Sequence, residues 1–359
     1  MIRSRATDAP AGSCGIKGKG LASGAEDDGE SGDNSRMSWA PVMTLERPPR
    51  INCLGVSDWD RLIAITDYPE AGGFAEVHEE ISAPGGPTTN TAVALSRLGA
   101  DVALATAVGD DERGRLVKSN LDAVGVDTRW LIVKPGEPTT LATCIVSRNP
   151  LDRTILVERG AQLAKGDQFD VAGLFGGDVL VLDAPDPSLR RFLLDLPAHT
   201  VPTTRLLGPL TTLANRNIPD ALEMALRHDA IVSNESDVLE VTGTWTLSDA
   251  TAALQHRMRG ATLRAALVTR GARGCLVVTE TERVNIPAFD INVVDPTGAG
   301  DAFAAGVAWG IAQRWDWPTV GRFANAVGGL ACCALGAQAS LPSLAEVEKL
   351  LAANPVPGD

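Results

Sequence analysis

Histidine is scarce in this chain. The four present, His78, His199, His228 and His256, are scattered, which argues against a histidine-built metal site. Aromatic residues make up only 4% of the sequence, with a single tyrosine. Basic residues are outnumbered: 32 Lys and Arg against 45 Asp and Glu leave a net charge of −13. That balance excludes a sequence-independent grip on nucleic acid or on an anionic membrane surface. No apolar run approaches the ~20 residues of a membrane span, and no CxxC spacing occurs among Cys14, Cys53, Cys144, Cys275, Cys332 and Cys333. The cysteines fall mostly in apolar runs and read as reduced core residues of a cytoplasmic protein.

Present in quantity are small and apolar residues: 44% hydrophobic, 36 Gly and 22 Pro in 359 residues, enough for a large core. Residues 1–46, including "GKGLASGAEDDGESGDNSR", are rich in Gly, Ser and charge. They read as a disordered extension without the apolar core of a signal peptide. From Arg50 on, short apolar runs alternate with helical segments. The runs "INCLGV", "DVALATAVG", "DVLVLDAP", "DAIVSN", "AALVTRG" and "GCLVVT" predict a buried, mostly parallel sheet with helices on both faces. Near 61–83 and 130–160 strand-like runs follow one another without helices, which predicts a small accessory sheet placed as a lid on a 47–359 domain.

The most informative stretch is "INVVDPTGAGDAFAAGVAWG", 291–310. A strand over 291–295 would reach the carboxyl edge of the sheet, where α/β ligands collect. Pro296 stops the ladder, the small residues of "TGAG" turn the chain, and a helix begins. A glycine-framed helix N-terminus is an anion site, because unpaired N–H groups and the helix dipole favour negative charge. Asp301 would stand beside such an anion, ready to accept a hydroxyl proton. For the acid alone the favoured reading is the plainer one, a first-turn residue complementing the dipole. Gly85 and Gly86 before "PTTNTAVALSRLGA" suit either a turn or a backbone approach to a polyol, with Asn90 offering donor and acceptor. "NESD" suits an Asn234 helix cap as well as a metal-organising turn.

The full string Asp-Pro-Thr-Gly-Ala-Gly-Asp-Ala-Phe closely resembles the second signature of the ribokinase (PfkB) family of sugar and nucleoside kinases. "GGPTTNTAVALSRLGA" with "AVGDDERG" resembles its first. The resemblance runs from about residue 51 to nearly the end of the chain. It implies a ribokinase-like three-layer α/β fold with an accessory β-sheet lid, and an ATP-dependent kinase acting on a hydroxymethyl group of a sugar. A nucleoside kinase and a catalytically silent homologue are the alternatives. It further implies Asp301 as catalytic base, with the N–H groups of Gly298, Ala299 and Gly300 as anion hole. Asp60 with its neighbour Asp58, Gly85, Gly86 and Asn90 would bind substrate, and Arg153 would reach it from the lid or else sit solvated at a hairpin tip. Asn234, Thr269, Gly271, Gly274 and Asn325 would line the ATP groove. Asp237 would help to hold Mg2+, and Asp295, with Gly336 and Ser340, a monovalent cation such as K+. Pairing of lids into a homodimer is a further implication.

Two departures stand out. The family's usual Asn-x-x-Glu is Asn-x-x-Asp here, and Pro87 follows the glycine pair where ribokinase itself has Lys. No GxxxxGK[ST] string occurs, so the chain is not a P-loop kinase.

Overall fold

A computed structural model describes residues 47–149, 151–198, 203–214 and 220–355. The expected extension over 1–46, and with it Cys14, lies outside the described residues.

Among the described residues, nine strands build the main sheet. In chain order they are β1 (Arg50–Leu54), β4 (Asp101–Gly109), β5 (Leu131–Lys134), β8 (Val179–Leu182), β9 (Arg205–Pro209), β10 (Ala230–Asn234), β11 (Ala265–Thr269), β12 (Cys275–Thr279) and β13 (Arg283–Ile286). Their spatial order is β13-β12-β11-β10-β9-β8-β1-β4-β5. From β5 to β11 every neighbour is parallel, and β12 and β13 close one edge as an antiparallel meander. The continuous apolar runs are explained by burial on both faces. On β1 and β8, Ile51, Cys53, Val179 and Val181 enter one core, while Leu54, Leu180 and Leu182 enter the other. Helices cover each side, which gives three layers.

Four other strands, β2 (Asp58–Ile65), β3 (Glu79–Gly85), β6 (Leu141–Arg148) and β7 (Leu151–Glu158), form the accessory sheet, in the order β3-β2-β6-β7. Two expectations need correction. The segment Leu131–Lys134, assigned by pattern to the accessory sheet, pairs parallel with β4 in the main sheet, because the helix Glu112–Ala123 returns it there. The stretch 291–295 is no strand. The N–H groups of Val294 and Asp295 both donate to Cys332 O, at 2.8 and 3.2 Å, and Val293 and Val294 lie half exposed. Its β-branched residues mimic a strand, but the chain end they meet is a helix terminus rather than a sheet edge. Cys53, Cys144, Cys275 and Cys332 are buried free thiols, whereas Cys333 is disulfide-bonded, against the expectation for that residue.

The helix Ala299–Ala312 lies against the helix Trp317–Leu330 in near backbone contact. A Cβ on Gly306 would fall 2.7 Å from Ala324 Cα, so the bare glycine there is what lets these helices meet. No helix among the described residues is long and apolar enough to cross a membrane.

Candidate active site

Chain segments far apart in sequence converge where the accessory sheet meets the carboxyl ends of the main strands. The first is the turn after β1. Val56 N–H donates to Thr88 Oγ1 at 3.0 Å, tying that turn to the start of the helix Pro87–Arg97. Gly86 caps this helix with φ 98°, and a Cβ there would sit 2.7 Å from Val56 O. One turn in, Asn90 is buried and its Nδ2 donates to Asp301 Oδ2 at 2.9 Å. Gln338 donates to Asn90 Oδ1 at 3.0 Å and to Pro84 O at 3.1 Å, so the amide is held from its other end. Thr91 Oγ1 donates to the backbone oxygen of Asp301 at 3.1 Å.

Asp301 occupies the first turn of the helix Ala299–Ala312, whose cap, Gly298, has φ 79° and offers no side chain. A Cβ on Gly298 would approach Ala337 O to 2.8 Å. Within the loop the three expected donors are not equivalent. Ala299 N–H turns back to Pro296 O at 3.2 Å, while those of Gly298, Gly300 and Asp301 have no backbone partner among the described residues. Three unspent donors at a helix N-terminus fit a phosphoryl group. Burial pushes the Asp301 carboxyl up to about 7; Asn90 opposes the rise, Asp60 adds to it, Arg153 opposes it and Asp183 adds to it. A carboxylate balanced near neutrality is suited to accept a proton.

Asp58 and Asp60 sit two residues apart on β2 and so project to the same face. Asp58 is opposite Gly85 in register, and a Cβ on Gly85 would fall 2.0 Å from Asp60 Oδ2. Glycine at 85 therefore makes room for these acids. Arg153, on β7, is felt electrostatically at Asp301, Cys144 and Cys332, which brings it to this junction from the accessory sheet.

The other expected residues form a second group. Asn234 and Thr269 are neighbours at the carboxyl ends of β10 and β11. Gly271 and Gly274, both with positive φ, turn β11 into β12. Asn325 donates to Ile286 O and Pro287 O, the same backbone against which Gly274 packs, so Gly274 and Asn325 assemble at one place.

Asp237 is committed elsewhere. Its Oδ2 accepts from Thr211 Oγ1 at 2.6 Å and from Asn234 Nδ2 at 2.9 Å, while Asn234 caps the helix Glu235–Thr242. That arrangement is the capping reading of "NESD", and it argues against Asp237 as a direct ligand. No group of three or more metal-ligating side chains lies together among the described residues. Asp295 is fully buried, accepting from Thr297 N–H at 2.9 Å and Gly336 N–H at 2.8 Å. Ser340, expected beside it, instead donates to Ala331 O and accepts from Ala334 N–H.

Sequence reasoning missed Asp183, Arg190 and Gln338. Asp183, at the end of β8, is 2% exposed in its side chain and pairs with the fully buried Arg190 at 3.2 Å. An acid closing the apolar run "VLVLDAP" was a signal of the same kind as Asp301. Gln338 carried none.

Comparison with known proteins finds relatives along most of this chain. The profile of the pfkB family carbohydrate kinases matches residues 59–344. Ribokinase of Bacillus subtilis is 28% identical over 306 residues, covering 83% of this chain and 98% of the relative. An ATP-dependent ribose-1-phosphate kinase of Halopiger xanaduensis is 27% identical over 294 residues, 81% of this chain and 94% of the relative. The structure of Arabidopsis thaliana ribokinase complexed with ribose and ATP superposes with a TM-score of 0.71 at 22% identity, covering 85% of this chain and 99% of that one.

Proposed function

From the premise that this chain belongs to the pfkB family of carbohydrate kinases, and is an ATP-dependent sugar kinase, we propose how its residues divide the work. The observation that carries the assignment is the Asn90–Asp301 hydrogen bond, which holds an acid balanced near neutrality at the mouth of a helix with unspent N–H groups. Asp301 accepts the proton of the substrate hydroxymethyl group as its oxygen attacks. The N–H groups of Gly298, Gly300 and Asp301 take up the charge on the transferred phosphoryl group, which ATP supplies. Ala299 contributes backbone shape rather than a free donor. Asp58, Asp60, the Gly85–Gly86 backbone and Asn90 hold the sugar. Asn234, Thr269, Gly271, Gly274 and Asn325 line the nucleotide side, Asn325 by fixing the Ile286–Pro287 backbone.

Mg2+ would arrive with the triphosphate, since it keeps much of its water and needs few protein ligands. A monovalent cation such as K+ is proposed beside Asp295, a fully buried carboxylate that forms no ion pair among the described residues. We propose a cytoplasmic enzyme, since its reaction draws on ATP. A screen of ATP turnover across ketoses, aldoses and nucleosides, run with K+ and with a bulky organic cation, tests the assignment. Turnover of none of them refutes it.

The accessory sheet is proposed to close over the sugar and exclude water. Arg153→Ala should raise KM for the sugar about tenfold or more and leave KM for ATP nearly unchanged. Equal effects on both would remove Arg153 from the sugar side. The outer strand β7 ends the accessory sheet, and Ile155, Leu156 and Val157 on it are about half exposed. An open apolar edge strand invites pairing, and we propose that a second copy covers it in a homodimer. Sedimentation should show Leu156→Lys as a monomer where the parent is a dimer.

A further inference from the structure

One backbone carbonyl fixes the direction of a hydrogen-bond chain that ends on Asp301. Pro84 O, in β3 of the accessory sheet, can only accept, so the Gln338 atom that meets it at 3.1 Å is the amide nitrogen Nε2. The same nitrogen donates to Asn90 Oδ1 at 3.0 Å, which turns the Asn90 oxygen towards Gln338. The Asn90 nitrogen is left to donate to Asp301 Oδ2 at 2.9 Å. A primary amide has nearly the same shape either way round, so its partners alone choose its direction. With Asn90 reversed, its nitrogen would oppose Gln338 Nε2 and its oxygen would oppose the Asp301 carboxylate. Only a protonated Asp301 could satisfy that oxygen, by donating to it.

We infer that Gln338 is a positioning residue for the phosphoryl transfer. By donating to Pro84 O and Asn90 Oδ1 together, it locks the Asn90 nitrogen onto Asp301 and keeps that carboxylate able to accept a proton. This rests on the reading of Asp301 as the base and adds the group that holds the base ready. Gln338 is itself held by its own segment. Gly336 N–H donates to Asp295 Oδ2 at 2.8 Å, and Ala337 O would lie 2.8 Å from a Cβ on Gly298, the cap of the helix that carries Asp301. The donor therefore moves with the loop that it serves.

Charged groups reach Asp301 from several elements. Burial acts first against its ionisation, and the Asn90 nitrogen is the largest influence in favour. Asp60, from β2, and Asp183, from the end of β8, oppose ionisation, while Arg153, from β7, supports it. Asp58, beside Asp60 on β2, also feels the charge of Asp301, and Arg190 pairs with Asp183. A reversed Asn90 would turn the chief support for the carboxylate into an opponent.

The test uses the full chain and a sugar taken from the screen. Gln338→Met keeps the length of the side chain and removes the donor. The Asp301 titration, followed by the carboxyl carbon resonance that Asp301→Asn deletes, should rise by about one pH unit, the size of one lost charge-assisted hydrogen bond. The kcat near pH 7 should fall about fivefold and return to the parent's at about pH 9, where the base is ionised in both proteins. A loop that was merely loosened would lower kcat alike at both. The effect must also pass through Asn90. In an Asn90→Ala background, Gln338→Met should move the Asp301 titration no further. An unchanged titration in Gln338→Met overturns the inference, and so does a shift of equal size in the Asn90→Ala background. If the parent phosphorylates no sugar, the kinase reading falls, and the resonance still decides for or against Gln338.

Discussion

Asp301→Asn should lose about 10²–10⁴-fold in kcat, which corresponds to roughly 3–5 kcal/mol of barrier. The amide keeps the size of the side chain but cannot take a proton. Binding of ATP should survive, because the donors of the anion site are backbone N–H groups. The parent's kcat should fall as pH drops below about 7, since protonation removes the base, and that acidic limb should vanish in the variant. Stability should move the other way. A carboxyl whose folded value lies above its unfolded one binds its proton more firmly in the native state. Its contribution is therefore present at low pH and is lost as pH rises through about 7. The variant, free of that loss, should melt no lower than the parent at pH 8. An acid serving only the helix dipole predicts the reverse, near-parental turnover with a small loss of stability. A folded Asp301→Asn protein turning over at the parent rate would sink the proposed mechanism.

Arg190→Ala should destabilise the fold by about 3–5 kcal/mol, the usual cost of removing one partner from a buried ion pair. The Arg190 side chain is fully buried, its Nε and Nη2 donate to Ala184 O at 3.0 and 2.8 Å, and Nη2 also reaches Asp183. Removing it leaves the buried carboxylate of Asp183 without its cation behind the site. The cost lies in that stranded charge more than in the value of the pair. The double variant Arg190→Met, Asp183→Asn should accordingly recover most of the loss in a urea titration. If the single variant unfolds at the parent's midpoint, the pair is not holding the end of β8. In any folded fraction of Arg190→Ala, the acidic limb of kcat should shift upward, since Asp183 already raises the Asp301 carboxyl.

Much of this protein was legible before any tertiary structure. The runs of β1, β4, β8, β10, β11 and β12 were readable because burial on both faces writes continuous apolar segments, a local signal. The loop 296–300 and Asp301 were readable because a proline, two glycines and an acid at a helix start each carry a short-range constraint. Where the pattern was ambiguous, partners decided. "LIVK" at 131–134 looks the same in either sheet, and only its pairing with β4 places it; "INVVD" has strand residues but bonds to Cys332 O instead.

The chemistry of the site is a tertiary property. Asn90 and Asp301 are 211 residues apart, and Gln338, which holds Asn90, is 248 away from it. Neither spacing leaves a periodic trace. The sequence by itself determined that an acid would stand at a glycine-framed helix N-terminus, because backbone conformation there is set by neighbours in the chain. Only the folded structure decided that this acid sits near neutrality, because that depends on burial and on Asn90, Asp60, Arg153 and Asp183 arriving from other elements. It likewise decided that Asp237 serves a helix cap, since Thr211 and Asn234 claim its carboxylate.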